Sequence, residues 1–225
     1  MISQMHFLKT LILLLLFIGC SSAHKNVDTK SDPHPVLELP LTAEAVKPIL
    51  VGSQTPNVKL RDTSGEVVEL SQLLSGKPAL LIFYRGGWCP YCNLQLGALQ
   101  KIEKDIQKLG VQIIAISPDR PEELSKSTGK HKLNYTLVSD SDMVAAKAFG
   151  IAFRVDDETV EKYKGYKIDL EASSGQTHHG LPVPSLFAIS REGLITFTYV
   201  NPNYKVRPSS EVVLAIARDI SKQAK

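Results

Sequence analysis

The sequence predicts an α/β sandwich, because segments with a strand pattern alternate with segments with a helix pattern. Two neighbouring segments indicate this most directly. Residues 79–84 are apolar at every position and lie between Pro78 and Gly86, which is typical of a strand that is buried on both faces. In the next segment, residues 92–109, apolar side chains recur every three or four positions, as they do along an amphipathic helix.

The other predicted elements continue this alternation. Strands are expected at 57–61 and 67–70, which form an N-terminal β-hairpin, and at 111–116, 135–138, 185–190 and 194–200. Helices are expected at 121–132, 142–149 and 209–222. Residues 155–181 fit the pattern poorly, and we interpret them as an insertion near a functional site, with a short helix over 157–163 and then a long loop. A single domain at 48–225 accounts for all of these elements.

The charge distribution excludes one class of partner. The formal net charge of +3 is small and spread along the chain, without the cluster of lysine and arginine expected of a nucleic-acid-binding protein. The hydrophobic fraction of 43% and the charged fraction of 22% are those of globular proteins, so a disordered or fibrous chain is also excluded.

The first residues resemble a bacterial lipoprotein signal. Lys9 precedes an apolar run at 11–18 that is too short to span a bilayer, and the run ends at Cys20, which is followed by two serines. We therefore expect a signal peptide at 1–19, lipidation of Cys20 and a tether at 20–47. These features predict an extracytoplasmic, membrane-anchored lipoprotein, on the periplasmic face in a Gram-negative organism. The alternative is a conventional signal peptide with an incidental cysteine.

If Cys20 is lipidated, the remaining cysteines are Cys89 and Cys92. Two cysteines three positions apart cannot connect distant parts of a fold, so the pair needs a chemical or metal-binding explanation. It lies after a predicted buried strand, at the first turn of a predicted helix, where free N–H groups and the helix dipole favour a thiolate. Arg85 adds a positive charge nearby, and Pro90 suits the first helical position.

Residues 83–92, with the sequence FYRGGWCPYC, resemble the active-site segment of peroxiredoxin-like proteins of the alkyl hydroperoxide reductase and thiol-specific antioxidant (AhpC/TSA) family. The segments at 116–119, 137–140, 145–151 and 186–189 are similar to those of bacterioferritin-comigratory type peroxiredoxins. The resemblance implies a thioredoxin-like three-layer α/β/α sandwich with a central mixed sheet. It also implies peroxide as substrate, a thioredoxin-like dithiol as reductant and no cofactor.

The resemblance leaves two mechanisms open. Alignment of the family's peroxidatic cysteine with Cys92 implies that Cys92 attacks peroxide and that Cys89 then closes a disulfide. In the alternative, Pro184 matches the cis-proline of thioredoxins, and Cys89 attacks a protein disulfide that Cys92 resolves. Arg85 is the third catalytic candidate, and Trp88 and Pro184 are candidate substrate-binding residues.

A third possibility is copper carriage by a protein of the same fold. Such carriers resemble this chain in using two cysteines and a distant histidine, and His178 and His179 lie in the predicted insertion. However, the resemblance to them requires three residues between the cysteines, whereas this chain has two. Four good zinc ligands are not in view either, so we expect no metal site.

Overall fold

A seven-stranded mixed sheet forms the centre of the computed structural model, which describes residues 39–131 and 133–222. Its strands in chain order are β1 (Lys59–Arg61), β2 (Val67–Glu69), β3 (Ala79–Phe83), β4 (Gln112–Ser117), β5 (Thr136–Ser139), β8 (Ser185–Ile189) and β9 (Ile195–Val200), and the two strands between β5 and β8 form a separate ribbon. The spatial order is β2-β1-β5-β4-β3-β8-β9. Strands β3, β4 and β5 are parallel, and the other pairings are antiparallel.

Helices cover both faces of this sheet, as an α/β/α sandwich requires. The longer helices are α2 (Pro90–Lys108), α3 (Pro121–His131) and α7 (Ser210–Lys222), and the two short ones that pack on the sheet are α1 (Leu70–Leu74) and α4 (Val144–Ala148). Alternate residues of β3 face opposite sides: Leu80 and Ile82 join the core cluster beneath α2 and α7, whereas Leu81 and Phe83 join the cluster beneath α1 and α4. The expected three-layer arrangement follows from this alternation.

The predicted insertion has more structure than its sequence indicated. Strands β6 (Ala152–Arg154) and β7 (Gly180–Pro182) pair as a separate antiparallel ribbon, and α5 (Asp157–Gly165) and α6 (Leu170–Ser174) lie between them. The long loop expected after residue 163 is therefore wrong. Capping explains both helices, because Asp156 accepts the N–H of Thr159 and Asp169 accepts the N–H of Ala172.

The chain packs on the domain earlier than residue 48, where we expected the domain to begin. Leu39, Ala43 and Val46 contact the core cluster beneath α4, and the carbonyl of Pro40 accepts the N–H of Arg154 at 2.8 Å. The apolar side chains of this segment explain the difference, because they are removed from water by this contact. The expected signal peptide, Cys20 and residues 20–38 of the expected tether lie outside the described residues.

Candidate active site

Cys89 and Cys92 lie where the chain passes from the buried strand β3 into α2, the longest of the described helices. Cys89 directly precedes α2 with an extended backbone, Pro90 is the first helical residue, and Cys92 lies in the first turn. This position follows from the local sequence, since proline is preorganised for the first helical position and lacks only an N–H that the helix would leave free. Both cysteines are free thiols, and their exposed fractions are 1% and 0%.

The two thiols have opposite electrostatic character. The thiol of Cys92 and then its backbone N–H donate hydrogen bonds to the sulfur of Cys89, and together with Arg85 and Arg207 they lower the pKa of Cys89 to about 6 against the effect of burial. Burial raises the pKa of Cys92 well above its usual value, and its hydrogen bond to Cys89 raises it further. At neutral pH, Cys89 is therefore the thiolate and Cys92 is the neutral donor. The alignment with peroxiredoxins implied instead that Cys92 is the attacking sulfur and therefore the thiolate.

Arg85 is a buried cation enclosed by aromatic rings, with an exposed fraction of 4%. Its guanidinium carbon lies 4.2 Å from the ring centre of Tyr204, 5.0 Å from that of Trp88 and 5.6 Å from that of Tyr163. It also donates a hydrogen bond to the Tyr163 hydroxyl. Within the part of the chain that the structure describes, no carboxylate pairs with it, so its charge acts on the rings and on the thiolate of Cys89.

The insertion covers this site through aromatic packing. The ring centres of Trp88 and Tyr163 lie 5.8 Å apart. Trp88 also contacts the small apolar cluster that holds the insertion together, which includes Val160 and Leu181. Helix α5 thus supplies Tyr163 to Arg85, and the expectation that 155–181 lies near a functional site stays a prediction.

Pro184 shares a cavity wall with the buried arginine of the site. With Arg85, Tyr163 and Tyr204 it lines a cavity of about 260 Å³. The cis conformation expected at Pro184 is wrong, because the backbone that the structure describes contains no cis peptide bond. Its place in the cavity wall keeps it a candidate for substrate binding.

Two functional candidates were missed by sequence reasoning. Asp119, just after β4, is buried, and its Oδ2 accepts the N–H of Gly87 at 2.7 Å and the hydroxyl of Ser117 at 3.1 Å. Burial raises the pKa of Asp119 to about 7. Arg207, between β9 and α7, lies with its Nη2 3.7 Å from the sulfur of Cys92. The only available signal was the position of Asp119 at the end of a buried strand beside the one that precedes the cysteines.

The histidines of the insertion are held by hydrogen bonds away from the thiols. His178 uses Nε2 with the carbonyl of Ser141 and Nδ1 with the N–H of Gly180. His179 pairs with Glu171 at 2.7 Å. Among the residues placed in the structure, no group of three or more histidine, cysteine or acidic side chains is arranged to hold a metal ion. Copper carriage stays an alternative that these contacts do not test.

Comparisons with known proteins give a matching family and similar proteins. A family model described as the AhpC/TSA family matches residues 51–198. Peroxiredoxin Bcp of Escherichia coli (strain K12) is 35% identical over 106 residues, which cover 47% of this chain and 67% of that protein. Chloroplastic peroxiredoxin Q of Oryza sativa subsp. japonica is 34% identical over 100 residues, which cover 44% of this chain and 46% of that protein.

Solved structures show the same fold. Peroxidoxin BcpB from Mycobacterium tuberculosis superimposes with a TM-score of 0.58 at 20% identity, over 76% of this chain and 97% of that one. Xanthomonas campestris peroxiredoxin Q does so with a TM-score of 0.56 at 20% identity, over 83% of this chain and 98% of that one. The predicted thioredoxin-like fold is confirmed.

The expected location of the protein is corrected by the same comparisons. The relatives that the chain matches, among them peroxiredoxin Bcp of Escherichia coli and a putative peroxiredoxin bcp of Haemophilus influenzae, contradict the prediction of an extracytoplasmic, membrane-anchored lipoprotein, which is wrong. The short apolar run that suggested it is a weak signal by itself, and Cys20 lies outside the described residues. None of the helices that the structure describes is long and apolar enough to cross a bilayer.

Proposed function

Because the chain belongs to the AhpC/TSA family, we propose that it is a thiol-dependent peroxidase that reduces hydrogen peroxide or organic hydroperoxides through Cys89 and Cys92. The expected membership of the AhpC/TSA family is confirmed. The observation that carries the proposal is the ionised sulfur at the start of α2, hydrogen-bonded to a second thiol that can form a disulfide with it.

The polarity of the pair supports Cys89 as the attacking sulfur. The thiolate, rather than the thiol, is the nucleophile, and the pKa of Cys89 is lowered to about 6 whereas that of Cys92 is raised. The Cys89 thiolate attacks one peroxide oxygen, the O–O bond breaks, and water or an alcohol leaves after taking up a proton. The product at Cys89 is a sulfenic acid.

Cys92 completes the proposed cycle. Its thiol already contacts the sulfur of Cys89, so it can displace the sulfenic hydroxyl as water and form the Cys89–Cys92 disulfide. A thioredoxin-like dithiol protein then supplies two electrons and two protons and returns both cysteines to thiols. Arg85 stabilises the Cys89 thiolate between turnovers through its charge. Trp88, which lies 5.0 Å from the Arg85 guanidinium, and Pro184, which lines a cavity with Arg85, stay candidates for binding the substrate.

A second candidate function is thiol–disulfide oxidoreduction. The low pKa of the outer cysteine of a Cys-Pro-Tyr-Cys motif favours it, because a thiolate at Cys89 can attack a protein disulfide as well as a peroxide. The two functions share the same disulfide product, so the test must separate the substrates.

The deciding experiment compares wild type, Cys89→Ser and Cys92→Ser in two reactions. Peroxide is added to the reduced protein, and a diketone probe with mass spectrometry locates the sulfenic acid; insulin reduction is measured in parallel. We expect Cys92→Ser to form one sulfenic acid per chain at Cys89, and Cys89→Ser to form none. Cys20→Ser is the matched control, and it leaves both reactions unchanged.

Each alternative outcome has a definite meaning. Sulfenic acid at Cys92 in Cys89→Ser, formed at the wild-type rate, contradicts the assignment of the attacking sulfur. Oxidation of the wild-type thiols no faster than that of a free cysteine contradicts the peroxidase proposal. Rapid insulin reduction in that second case favours the oxidoreductase.

A further inference from the structure

A second arginine reaches the cysteine pair from a distant part of the chain. Arg207 lies in the loop between β9 and α7, and its Nη2 is 3.7 Å from the sulfur of Cys92. Arg85, by contrast, is enclosed by the rings of Trp88, Tyr163 and Tyr204. The charge of Arg207 also acts on Cys89, together with that of Arg85. Its direct contact, however, is with Cys92, and the attack of Cys89 on peroxide gives that contact no role.

The guanidinium of Arg207 is held in a fixed orientation. Its Nε donates to Oε1 of Gln95 at 2.7 Å, and its Nη1 donates to the carbonyls of Tyr204 and Val206 at 2.6 and 2.7 Å. Gln95 is buried and lies three residues after Cys92, on the same face of α2. These bonds leave Nη2 directed at the sulfur.

The charge of Arg207 is not neutralised by a side chain within the described ranges. No carboxylate lies within ion-pair distance of it there, and its hydrogen-bond partners are an amide, two carbonyls and a thiol. A positive charge at this distance favours the ionised form of the thiol. The other titratable groups that interact with Cys92 are the thiol of Cys89 and the buried phenol of Tyr84 on β3.

We propose that Arg207 is a catalytic residue for the second half of the cycle, in which it stabilises the thiolate of Cys92. This inference rests on the proposed peroxidase function. Once Cys89 has become a sulfenic acid, its negative charge is gone, and Cys92 must lose its proton to act as the nucleophile. Among the described residues, Arg207 is the cationic side chain that contacts this sulfur.

The chemistry of this step is balanced without any further oxidant. The Cys92 thiolate attacks the sulfur of the Cys89 sulfenic acid, the S–S bond forms, the S–O bond breaks, and hydroxide takes up the proton that Cys92 released and leaves as water. During reduction, the thiolate of the dithiol partner attacks Cys89, and Cys92 leaves as a thiolate beside Arg207. A leaving thiol of lower pKa leaves faster.

The first test measures the Cys92 thiolate itself and needs no peroxide. In a Cys89→Ser background, the pKa of Cys92 is obtained from its ultraviolet thiolate absorbance and from its rate of alkylation against pH. We expect Arg207→Met to raise that pKa by about one unit or more and Arg207→Lys to raise it less. Lys205→Met is the matched control, because it removes a neighbouring exposed charge from the same loop, and we expect it to leave the pKa unchanged.

The second test separates the two chemical steps at pH 8, where Cys89 is ionised in every variant. We expect Arg207→Met to form sulfenic acid within about twofold of the wild-type rate. Disulfide formation slows roughly threefold for each unit of pKa rise, because the thiolate fraction falls about tenfold while its nucleophilicity rises by about threefold. Arg207→Lys slows it less, and Lys205→Met does not slow it.

The outcomes distinguish this inference from the proposed function. If Arg207→Met leaves the Cys92 pKa and the rate of disulfide formation unchanged while sulfenic acid still forms, the inference is wrong and the peroxidase proposal stands. If wild type forms no sulfenic acid, the peroxidase proposal fails, and the titration still tests the arginine. Should Arg207→Met fail to fold, Gln95→Leu releases the guanidinium Nε and is expected to raise the same pKa by a smaller amount; no rise then overturns the inference.

Discussion

The hydrogen bond from Cys92 to Cys89 is the largest cause of the low pKa of Cys89, and its removal gives the sharpest prediction. Cys92→Ala removes the thiol donor, whereas Cys92→Ser retains a hydroxyl that can donate in its place. We expect the pKa of Cys89 to rise in Cys92→Ala by about one to two units and in Cys92→Ser by less. The serine variant is therefore a control for the loss of the sulfur atom.

The structure sets the size of the effect on reactivity. With a pKa of about 6, Cys89 is mostly ionised at pH 7. After a rise of one to two units, the ionised fraction at pH 7 falls to between about one half and one tenth, and the rate of peroxide attack falls by about two- to tenfold. Above pH 9 the difference disappears, because Cys89 is then ionised in both variants.

The assay is the rate of alkylation of Cys89 by iodoacetamide between pH 4 and pH 10, followed by sulfenic acid formation at pH 7 and pH 9. Two results refute the reasoning. If the alkylation midpoint stays near that of wild type in Cys92→Ala, the hydrogen bond does not lower the pKa. If Cys92→Ala forms no sulfenic acid at any pH, Cys92 is the sulfur that attacks peroxide.

Three further predictions concern the residues around the pair. In the folded state Asp119 keeps its proton up to about pH 7, whereas in the unfolded chain it releases the proton near its usual pKa. The free energy of unfolding therefore falls as the pH rises through this range. We expect urea titrations at pH 5 and pH 8 to show this fall, and the fall to be smaller in Asp119→Asn by on the order of 2 kcal/mol; an equal fall in both proteins contradicts the burial argument. Gly86 has a φ of +144°, and a Cβ there would lie 2.8 Å from Oδ1 of Asp119. We therefore expect Gly86→Ala to lower the free energy of unfolding by more than about 2 kcal/mol. The control is Gly97→Ala on α2, where a Cβ meets open space, and we expect it to raise the free energy of unfolding by about 0.5–1 kcal/mol. Tyr163→Phe removes a partner of the buried Arg85 and should lower thermal stability by about 1–3 kcal/mol; an unchanged melting temperature shows that the pair contributes nothing.

Much of the fold could be predicted from the sequence because it depends on local patterns. The apolar run at 79–84 and the three-to-four spacing at 92–109 correspond to β3 and α2 within a few residues. The start of α2 was also predictable from nearby residues, because Pro90 favours the first helical position and the apolar spacing changes from that of a strand to that of a helix there. The pair Cys89 and Cys92 was therefore identified together with its position at a helix start.

The insertion shows where local patterns stop being sufficient. The sequence predicted the first helix of this segment, which corresponds to α5, but not α6 or the strand β7, which are too short to produce a clear period. The stability of both helices comes from caps at Asp156 and Asp169 and from packing on Trp88. Such contacts join residues distant in the chain, and a sequence pattern does not contain them.

The sequence by itself determined the sheet, the long helices and the place of two thiols at the start of one of them, because apolar periodicity and helix-start residues act over a few positions. Only the tertiary structure decided which thiol is ionised, because the pKa of each depends on burial and on hydrogen bonds within the folded loop. It also brought Arg207 to Cys92 across 115 residues of chain. The physical reason is that the effects of charge and desolvation depend on distances between groups that are far apart in the sequence, and the packing of the chain sets those distances.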